Sequence, residues 1–159
     1  MKKYLLFSFI LLAGLFSLGS CSDDKTDEIE NIIPAEELPE KAQKFLYTYF
    51  HEYEIIKVEK ETVQDLVIYD VELQDGYEVI FNAQGDWQEV DAPYGKTIPT
   101  GFIPEPILQT LNYSYNGYGI AEINTEGENY HIQLSNNQGG DSIELVFNQS
   151  GEIIYTSQN

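Results

Sequence analysis

The chain has 159 residues, 42% of them hydrophobic and 13% aromatic, which is enough apolar surface for one domain or two small ones. Its formal charge is −19, and it contains no arginine. Proteins that read nucleic acids use cationic side chains to displace counterions from phosphates. The composition therefore argues against nucleic acid as a partner, and against an anionic membrane surface.

The N-terminal segment has the parts of an export signal. Two lysines precede an apolar run from Tyr4 to Leu18, which is shorter than a membrane-spanning helix requires. Residues 1–20 are therefore predicted to be a signal peptide. The sequence Leu18-Gly19-Ser20-Cys21 resembles a bacterial lipobox, which implies that Cys21 is acylated and becomes the first mature residue. A plain secretory signal is the alternative.

Cys21 is the only cysteine, which excludes an intramolecular disulfide and a cysteine-based metal site. Removal of the leader leaves six lysines against 27 acidic residues, a net charge of −21. The chain is polar and acidic as far as Glu37, so residues 21–37 are predicted to be the lipidated cysteine and a flexible tether. We expect an exported protein, lipid-anchored to the outer membrane on its periplasmic side or at the cell surface, that touches the membrane only through this lipid.

The rest of the chain repeats itself at offsets of 61 to 66 residues. Tyr53-x-Ile55-x-x-Val58-x-x-Glu61 recurs as Tyr118-x-Ile120-x-x-Ile123-x-x-Glu126, and Tyr69-x-Val71-x-Leu73 recurs as Tyr130-x-Ile132-x-Leu134. A third pattern, Val79-x-Phe81-Asn82-x-x-Gly85-x-Trp87, recurs as Leu145-x-Phe147-Asn148-x-x-Gly151-x-Ile153. We therefore predict two units in tandem, residues 38–97 and 98–159.

Each unit is predicted to begin with a helix. In the first unit, apolar residues recur with a period of 3.6 at Leu38, Ala42, Phe45, Leu46, Tyr49, Phe50 and Tyr53. The second helix is shorter, begins at Pro104 and Pro106, and carries on one side Ile107, Leu108, Leu111 and Tyr115.

After each helix the apolar period falls to two, which predicts strands with one buried face, first at Val67, Tyr69, Val71 and Leu73 and then at Tyr77, Val79 and Phe81. Asp75-Gly76 predicts a tight hairpin, and 82–85 and 148–151 predict turns. The fold class is α+β, with about four antiparallel strands per unit and the helices packed on one face of the sheet.

Three segments of the first unit follow the order of a known family: the helix beginning at Leu38-Pro39, then Tyr69-Asp70-Val71-Glu72-Leu73, then Tyr77-Glu78-Val79-x-Phe81-Asn82-x-x-Gly85-x-Trp87. They resemble the PepSY-like, β-lactamase-inhibitor-like domain of secreted and periplasmic bacterial lipoproteins, and the resemblance extends from Pro34 through both units. It implies tandem units with aligned sheets, and in the inhibitor member a target enzyme is held against the concave sheet surface. The second unit departs from the pattern at Ile153 and at the insert 136–140, so equal roles for the two units are not implied.

No constellation of catalytic residues is evident. The sequence lacks a G-x-S-x-G elbow and a spare cysteine, and His51 and His131 are expected at the surface. No pair of carboxylates is singled out for glycoside hydrolysis. Two oxygen-rich loops, Asp23–Asp27 and Asn136–Asp141, lack the spacing of an EF-hand loop and are interpreted as solvated turns. We therefore expect no enzyme activity, no cofactor and no dedicated metal site.

The outer sheet face is the leading candidate for a binding surface. Register assigns to it Ile68, Asp70, Glu72, Glu78 and Ile80 in the first unit, and His131, Gln133, Glu144 and Val146 in the second. Ile80 and Val146 each follow an acid by two residues, so we expect an exposed aliphatic pair with an acidic rim. Such a surface suits a partly basic protein or peptide of the cell envelope. The alternative is a scatter of ordinary surface aliphatics.

The aromatic residues offer a second candidate. Tyr113, Tyr115 and Tyr118 follow the second helix in a segment rich in Asn and Gly, and they form an alternative binding loop that suits a glycan. The sequence thus predicts a lipid-anchored, non-enzymatic binding or inhibitor-like module that presents its sheet to a protein or peptide. A calcium- or metal-responsive structural lipoprotein of the envelope and a glycan-binding surface lipoprotein are the alternatives.

Overall fold

The segments with a period of two form one antiparallel sheet, seen in a computed structural model that describes residues 31–63, 66–136 and 142–158. Its eight strands lie side by side in chain order. They are β1 Ile55–Val63, β2 Leu66–Leu73, β3 Glu78–Asn82, β4 Trp87–Asp91, β5 Tyr118–Glu126, β6 Asn129–Asn136, β7 Ser142–Phe147 and β8 Ile153–Gln158. The predicted α+β class is confirmed.

Two helices precede the two sets of four strands, α1 Glu40–Tyr49 before β1 and α2 Glu105–Ser114 between β4 and β5. Ala42 and Leu46 are buried in α1, and Ile107 and Leu111 are buried in α2. Pro106 is accommodated in the first turn of α2, where its missing N–H would have no partner within the helix. Both helices therefore turn the predicted apolar stripe towards the sheet.

The sheet face under the helices, called the covered face below, carries a continuous apolar row. Its members oppose one another from β1 to β7 and are each at most 2% exposed: Val58, Val71, Val79, Val90, Ile123, Ile132 and Leu145. Burial of each side chain contributes about 1.5 to 3 kcal/mol. Because both helices pack on the core that contains this row, no helix of residues 31–63, 66–136 and 142–158 lies on the opposite face of the sheet.

The two predicted Asn-x-x-Gly turns have the same hydrogen bonds. Asn82 Oδ1 accepts from the backbone N–H groups of residues 84 and 86 at 2.9 and 3.0 Å. Asn148 Oδ1 accepts from those of residues 150 and 152, both at 3.0 Å. The first turn contacts the start of α1 and the second contacts the start of α2, through Gly85 and Gly151. Each turn thus sets how closely its helix approaches the sheet.

The N-terminal boundary differs from the predicted one. Residues 31–37 were expected in the flexible tether, but Ile32 bridges to Glu59, Ile33 N donates to Val58 O at 3.0 Å, and Lys60 N donates to Asn31 O at 2.8 Å. Main-chain pairing along the edge of β1 therefore orders this segment, and the expected tether ends before it. The signal peptide and Cys21 lie outside the described residues.

Within the described ranges, neither helix is long and apolar enough to cross a membrane.

Candidate binding site on the open sheet face

The sheet face without helices, called the open face below, is crossed by two rows of side chains from β1 to β8. One row contains Glu59, Asp70, Ile80, Glu89, Asn124, His131, Val146 and Tyr155. The next contains Lys57, Glu72, Glu78, Asp91, Glu122, Gln133, Glu144 and Ser157. Neighbours in a row are directly opposed on adjacent strands, so their side chains are close enough to interact.

The nine residues predicted for partner binding all lie on this face. Eight belong to the two rows, and the ninth, Ile68, lies one position further along β2, opposite Asn82. Glu72, Glu78, Gln133 and Glu144 are exposed, whereas Ile68, Asp70, Ile80 and His131 are half-buried. Their predicted location is therefore found in the structure, and their role in binding stays a prediction.

Val146 does not form an exposed pair with Ile80. Only 7% of Val146 is accessible, although it occupies the open face. It lies between His131 on β6 and Tyr155 on β8, and these larger side chains flank it from both neighbouring strands. The expectation of an exposed aliphatic pair is therefore wrong, and the accessible aliphatic surface among these positions belongs to Ile68 and Ile80 in the first half of the sheet.

At the centre of the open face the structure brings together three carboxylates that the sequence analysis did not single out. Glu89 and Asp91 on β4 and Glu122 on β5 each place a carboxylate oxygen within 4.8 Å of the other two. We call this group the central acidic cluster. The sequence contained a signal for this cluster, because Val90 and Ile123 face inward and the residues next to them in the chain must therefore face outward. The juxtaposition depends on the β4–β5 pairing, which joins segments 26 residues apart in the chain.

The carboxylates of the central acidic cluster repel one another strongly. Burial, followed by the charges of Glu122, Glu89 and Glu78, raises the pKa of Asp91 from 3.8 to about 8. A hydrogen bond with Glu89 also favours the protonated form of Asp91. Asp91 therefore retains its proton at neutral pH, and this proton lowers the repulsion within the cluster.

The carboxyls around Asp91 are perturbed in the same direction. Burial is the main cause of the raised pKa of Glu89 and of Glu122. Asn124 Nδ2 donates to Glu122 Oε1 at 3.3 Å and opposes the rise at Glu122. On β2, burial, followed by the charges of Glu78, Glu59 and Glu61, raises the pKa of Asp70 to about 6.

The lysines of the sheet are confined to its first strand. Strands β2 to β8 contain no lysine, and the chain has no arginine. On β1, Lys57 Nζ lies 2.7 Å from Glu59 Oε1 and only partly offsets the neighbouring charges. His131 Nε2 lies 3.1 Å from Glu126 Oε2 at the other side of the cluster. The centre of the open face is therefore an acidic surface on which Lys57 and His131 only partly oppose the raised pKa values of Asp70 and Glu122.

The remaining predicted sites are dispersed. His51, which was expected at the surface, is exposed beyond the end of α1. Tyr113 was expected in a loop after the second helix, but it lies within the last turn of α2 and is 91% exposed. Tyr115 and Tyr118 follow the helix and are half-buried. The oxygen-rich loop 23–27 lies outside the described residues, as does its counterpart 136–141 except for Asn136.

Fold and open face together define an α+β domain that covers one side of an antiparallel sheet with helices and leaves the other side accessible. The chain belongs to the family described as "putative beta-lactamase-inhibitor-like, PepSY-like", which its residues 67–155 match over more than half of the sequence. The resemblance predicted from the sequence is confirmed.

Solved structures of Bacteroides proteins share this fold. Two are proteins of Bacteroides vulgatus described as "putative periplasmic". One is 24% identical, with a TM-score of 0.74 over 82% of this chain and 98% of the other. The second is 29% identical, with a TM-score of 0.69 over 78% of this chain and 94% of the other.

A third similar structure is a "putative calcium-regulated periplasmic protein" of Bacteroides thetaiotaomicron. It is 24% identical, with a TM-score of 0.73 over 80% of this chain and 95% of the other. No curated protein matches the chain.

Proposed function

We propose that the chain is an exported, non-enzymatic binding module whose open face binds a protein or peptide segment carrying lysine or arginine side chains. The observation that supports this proposal is the run of four opposed carboxylates, Glu72, Glu78, Asp91 and Glu122, on four adjacent strands. Like charges directly opposite one another destabilise a sheet. A cationic segment laid across these strands would reduce that repulsion.

The raised pKa values support the same partner chemistry. Burial, followed by the charges of neighbouring carboxylates, raises the pKa of Asp91 to about 8 and that of Asp70 to about 6. An incoming ammonium or guanidinium group would favour the ionised carboxylates and form charge-assisted hydrogen bonds, each worth about 1.5 to 3 kcal/mol before screening by solvent. The field of the acidic face would also accelerate encounter with a basic partner.

Apolar contact is available beside these charges. Ile80 lies between Asp70 and Glu89 in the sheet, and Ile68 lies one row away on β2. Both isoleucines are half-buried, so each retains apolar surface that a partner side chain can cover. A segment that alternates cationic and aliphatic side chains would match both features.

The test is binding of a short synthetic peptide in which lysine and valine alternate, measured by calorimetry at low and physiological salt. We expect the Glu89→Gln/Glu122→Gln variant to bind at least about tenfold more weakly, because tenfold corresponds to about 1.4 kcal/mol and two charge-assisted contacts exceed that. Its affinity should also depend less on salt.

The matched control is Glu52→Gln/Glu128→Gln, which removes the same net charge from exposed positions off the open face. Its affinity should stay within about twofold of the original, because exposed distant charges are largely screened. Equal weakening by both double variants would show that only net charge attracts the peptide, and the open-face proposal would then be wrong.

Calcium is the second candidate ligand, and the geometry of the central acidic cluster favours it. Hard cations bind several carboxylate oxygens, and the cluster offers three within 4.8 Å of one another. The similar protein named as calcium-regulated is consistent with this alternative. Millimolar calcium should then raise the melting temperature of the parent protein but not that of Glu89→Gln/Glu122→Gln, and a chelator should reverse the rise. An unchanged midpoint in the parent removes calcium as the ligand.

We also propose that residues 38–97 and 98–159 are structural repeats. Gly85 and Gly151 have φ values of +79° and +80° in turns with the same asparagine hydrogen bonds. The register shifts after Ile80 in β3 and after Val146 in β7, again at corresponding positions. Superposition of the halves should place Phe81 on Phe147 and Gly85 on Gly151, and placement on unrelated elements would end this interpretation.

Lipid attachment at Cys21 is proposed as the anchor that keeps the module in the cell envelope, on the strength of the lipobox resemblance. Cys21→Ala should leave the protein unprocessed or release it from membranes, as measured by partition into a detergent phase. Membrane retention unchanged by this substitution would contradict the anchor.

A further inference from the structure

A cleft beside α2 differs in chemistry from the rest of this acidic molecule. It has a volume of about 200 Å³ and lies between the end of α2, the loop 97–100 and the start of β5. Leu111, Ile120 and Leu134, all buried, form its floor. We call it the α2 groove. Because α2 packs on the covered face, the groove is separate from the open face and its proposed partner.

The walls of the α2 groove are polar and uncharged. They carry the side chains of Thr97, Thr100, Asn112 and Asn116, and the half-buried rings of Tyr115 and Tyr118. The lining includes no carboxylate and no lysine, although the chain has 27 acidic residues. Within the described ranges, the asparagine amides and the threonine hydroxyls of these walls form no hydrogen bond with another protein group. Their donors and acceptors therefore face solvent or a ligand.

Short contacts hold the walls in place without a ligand. Ile98 N donates to Ile120 O at 2.9 Å, which ties the loop 97–100 to β5, and Tyr118 N donates to Tyr115 O at 3.1 Å. Residue 119 is glycine, and a Cβ there would overlap the Thr97 side chain, so the loop approaches β5 as closely as the backbone allows. A site whose walls are already fixed loses less entropy on binding than one that must be ordered.

The cleft at the end of α1 shows that helix packing alone does not produce this chemistry. That cleft is larger, about 290 Å³, and its lining is dominated by Leu38, Leu46, Phe50, Ile55 and Leu73, with Glu36 and His51 at its border. Besides Tyr47 and Tyr53 it carries one amide, that of Gln43, and this amide already donates to the backbone carbonyls of Glu36 and Leu38. The neutral polar lining is therefore a property of the second half of the chain.

We propose that the α2 groove binds one neutral sugar residue. Amides and hydroxyls pair with sugar hydroxyls as both donors and acceptors, and the faces of Tyr115 and Tyr118 suit the apolar side of a pyranose ring. Charged ligands have no counter-charge here. The volume is below the roughly 300 to 1,000 Å³ of sites for drug-sized ligands, so a single ring fits rather than an oligosaccharide.

The experiment titrates the ¹⁵N-labelled full chain with glucose, galactose, mannose and N-acetylglucosamine, each free and as its methyl glycoside, up to about 50 mM, well above a dissociation constant of about 1 mM. We expect saturable amide shifts at residues 112–119 with at least one sugar. Binding of the methyl glycoside would identify a glycan end as the source, and loss of binding on methylation would identify the free sugar.

Asn112→Ala and Asn116→Ala should each weaken this binding by about twofold to tenfold, the range that one lost hydrogen bond produces. Tyr113→Ala is the matched control, because Tyr113 is 91% exposed and does not line the groove, and its affinity should be unchanged. The amide spectrum of each variant reports whether it is folded. The proposal is overturned if no sugar gives a saturable shift, or if the shifts persist undiminished in the Asn112→Ala/Asn116→Ala double variant.

Discussion

Asp91→Asn should raise the melting temperature at pH 8, although it removes a native side chain from the centre of the sheet. The pKa of Asp91 is raised to about 8, mainly by burial and then by Glu122, Glu89 and Glu78. A carboxyl in this environment lowers the stability of the folded state at every pH above its unfolded pKa. Asparagine has nearly the same shape and carries no charge, so it retains the packing and removes the repulsion.

The sign of the pH dependence follows from the direction of this shift. Between its unfolded pKa of 3.8 and its folded pKa of about 8, Asp91 binds more proton in the folded state than in the unfolded state. The resulting stabilisation of the folded state is fully present below pH 3.8 and is lost as the pH rises through about 8. Asp70, with a folded pKa of about 6, contributes in the same direction over a narrower window.

Melting curves from pH 4.5 to 8.5 measure the effect. One pKa unit corresponds to about 1.4 kcal/mol, but the partial solvent access of Asp91 screens its interactions, so we expect Asp91→Asn to gain about 1 to 2 kcal/mol, or about 3 to 8 °C, at the alkaline end. The gain should shrink towards the acidic end, where Asp91 becomes protonated in the unfolded state as well. Glu128→Gln, in the exposed β5–β6 turn, should leave the curve unchanged. If Asp91→Asn is less stable than the parent at pH 8, the neighbouring carboxylates do not destabilise the folded state through Asp91, and the prediction is wrong.

This arrangement links stability to the proposed function. A sheet built only for stability would place threonine or lysine at several of these positions, because opposed unlike charges and β-branched residues stabilise antiparallel strands. The chain instead keeps Glu89, Asp91 and Glu122 together. Retaining a destabilising cluster at an accessible surface is typical of residues that serve binding.

Local patterns were sufficient to predict most elements of the fold. Inward-facing Tyr69, Val71 and Leu73 alternate with outward-facing Asp70 and Glu72 over a full strand, and this period of two is typical of a strand with one buried face. The turns at Asn82 and Asn148 were predictable because asparagine and glycine are the residues that their geometry requires.

The central acidic cluster was harder to predict because it depends on a non-local pairing. β4 and β5 pair directly, but α2 and its loops lie between them in the chain. The register of β5 also shifts between Ile120 and Glu122, so the period of two is interrupted where Glu122 turns to the open face.

Two further differences have the same kind of origin. Ile32 and Ile33 lie in a polar segment without periodicity, yet they align with β1 through main-chain hydrogen bonds. Such bonds do not depend on the side chains, so the sequence shows no pattern that predicts them. Val146 was assigned to the correct face, but its burial depends on which side chains flank it on β6 and β8. Strand faces are local information, whereas burial within a face requires the neighbours.

Gly151→Ala should cause a large loss of stability, because residue 151 combines a left-handed backbone with close contact to α2. Its φ is +80°, and a Cβ would lie 2.6 Å from Pro106 C and 2.8 Å from Pro106 O. The left-handed conformation costs an alanine about 1 to 2 kcal/mol, and displacement of the helix backbone adds about 1 to 3 kcal/mol. We expect a total loss of about 2 to 5 kcal/mol, or roughly 8 to 20 °C in melting temperature.

Two companion substitutions separate these causes. Gly127→Ala has a φ of +62° but would meet no atom within 4 Å, so it should show only the smaller backbone part of the loss. Gly85→Ala would place a Cβ 2.9 Å from the Ala42 nitrogen and 2.8 Å from Pro39 Cβ, so it should resemble Gly151→Ala. Thermal and urea unfolding of the three variants measures each loss. If Gly151→Ala loses no more than Gly127→Ala, the turn between β7 and β8 does not press against α2, and the helix is positioned by its apolar contacts with the covered face alone.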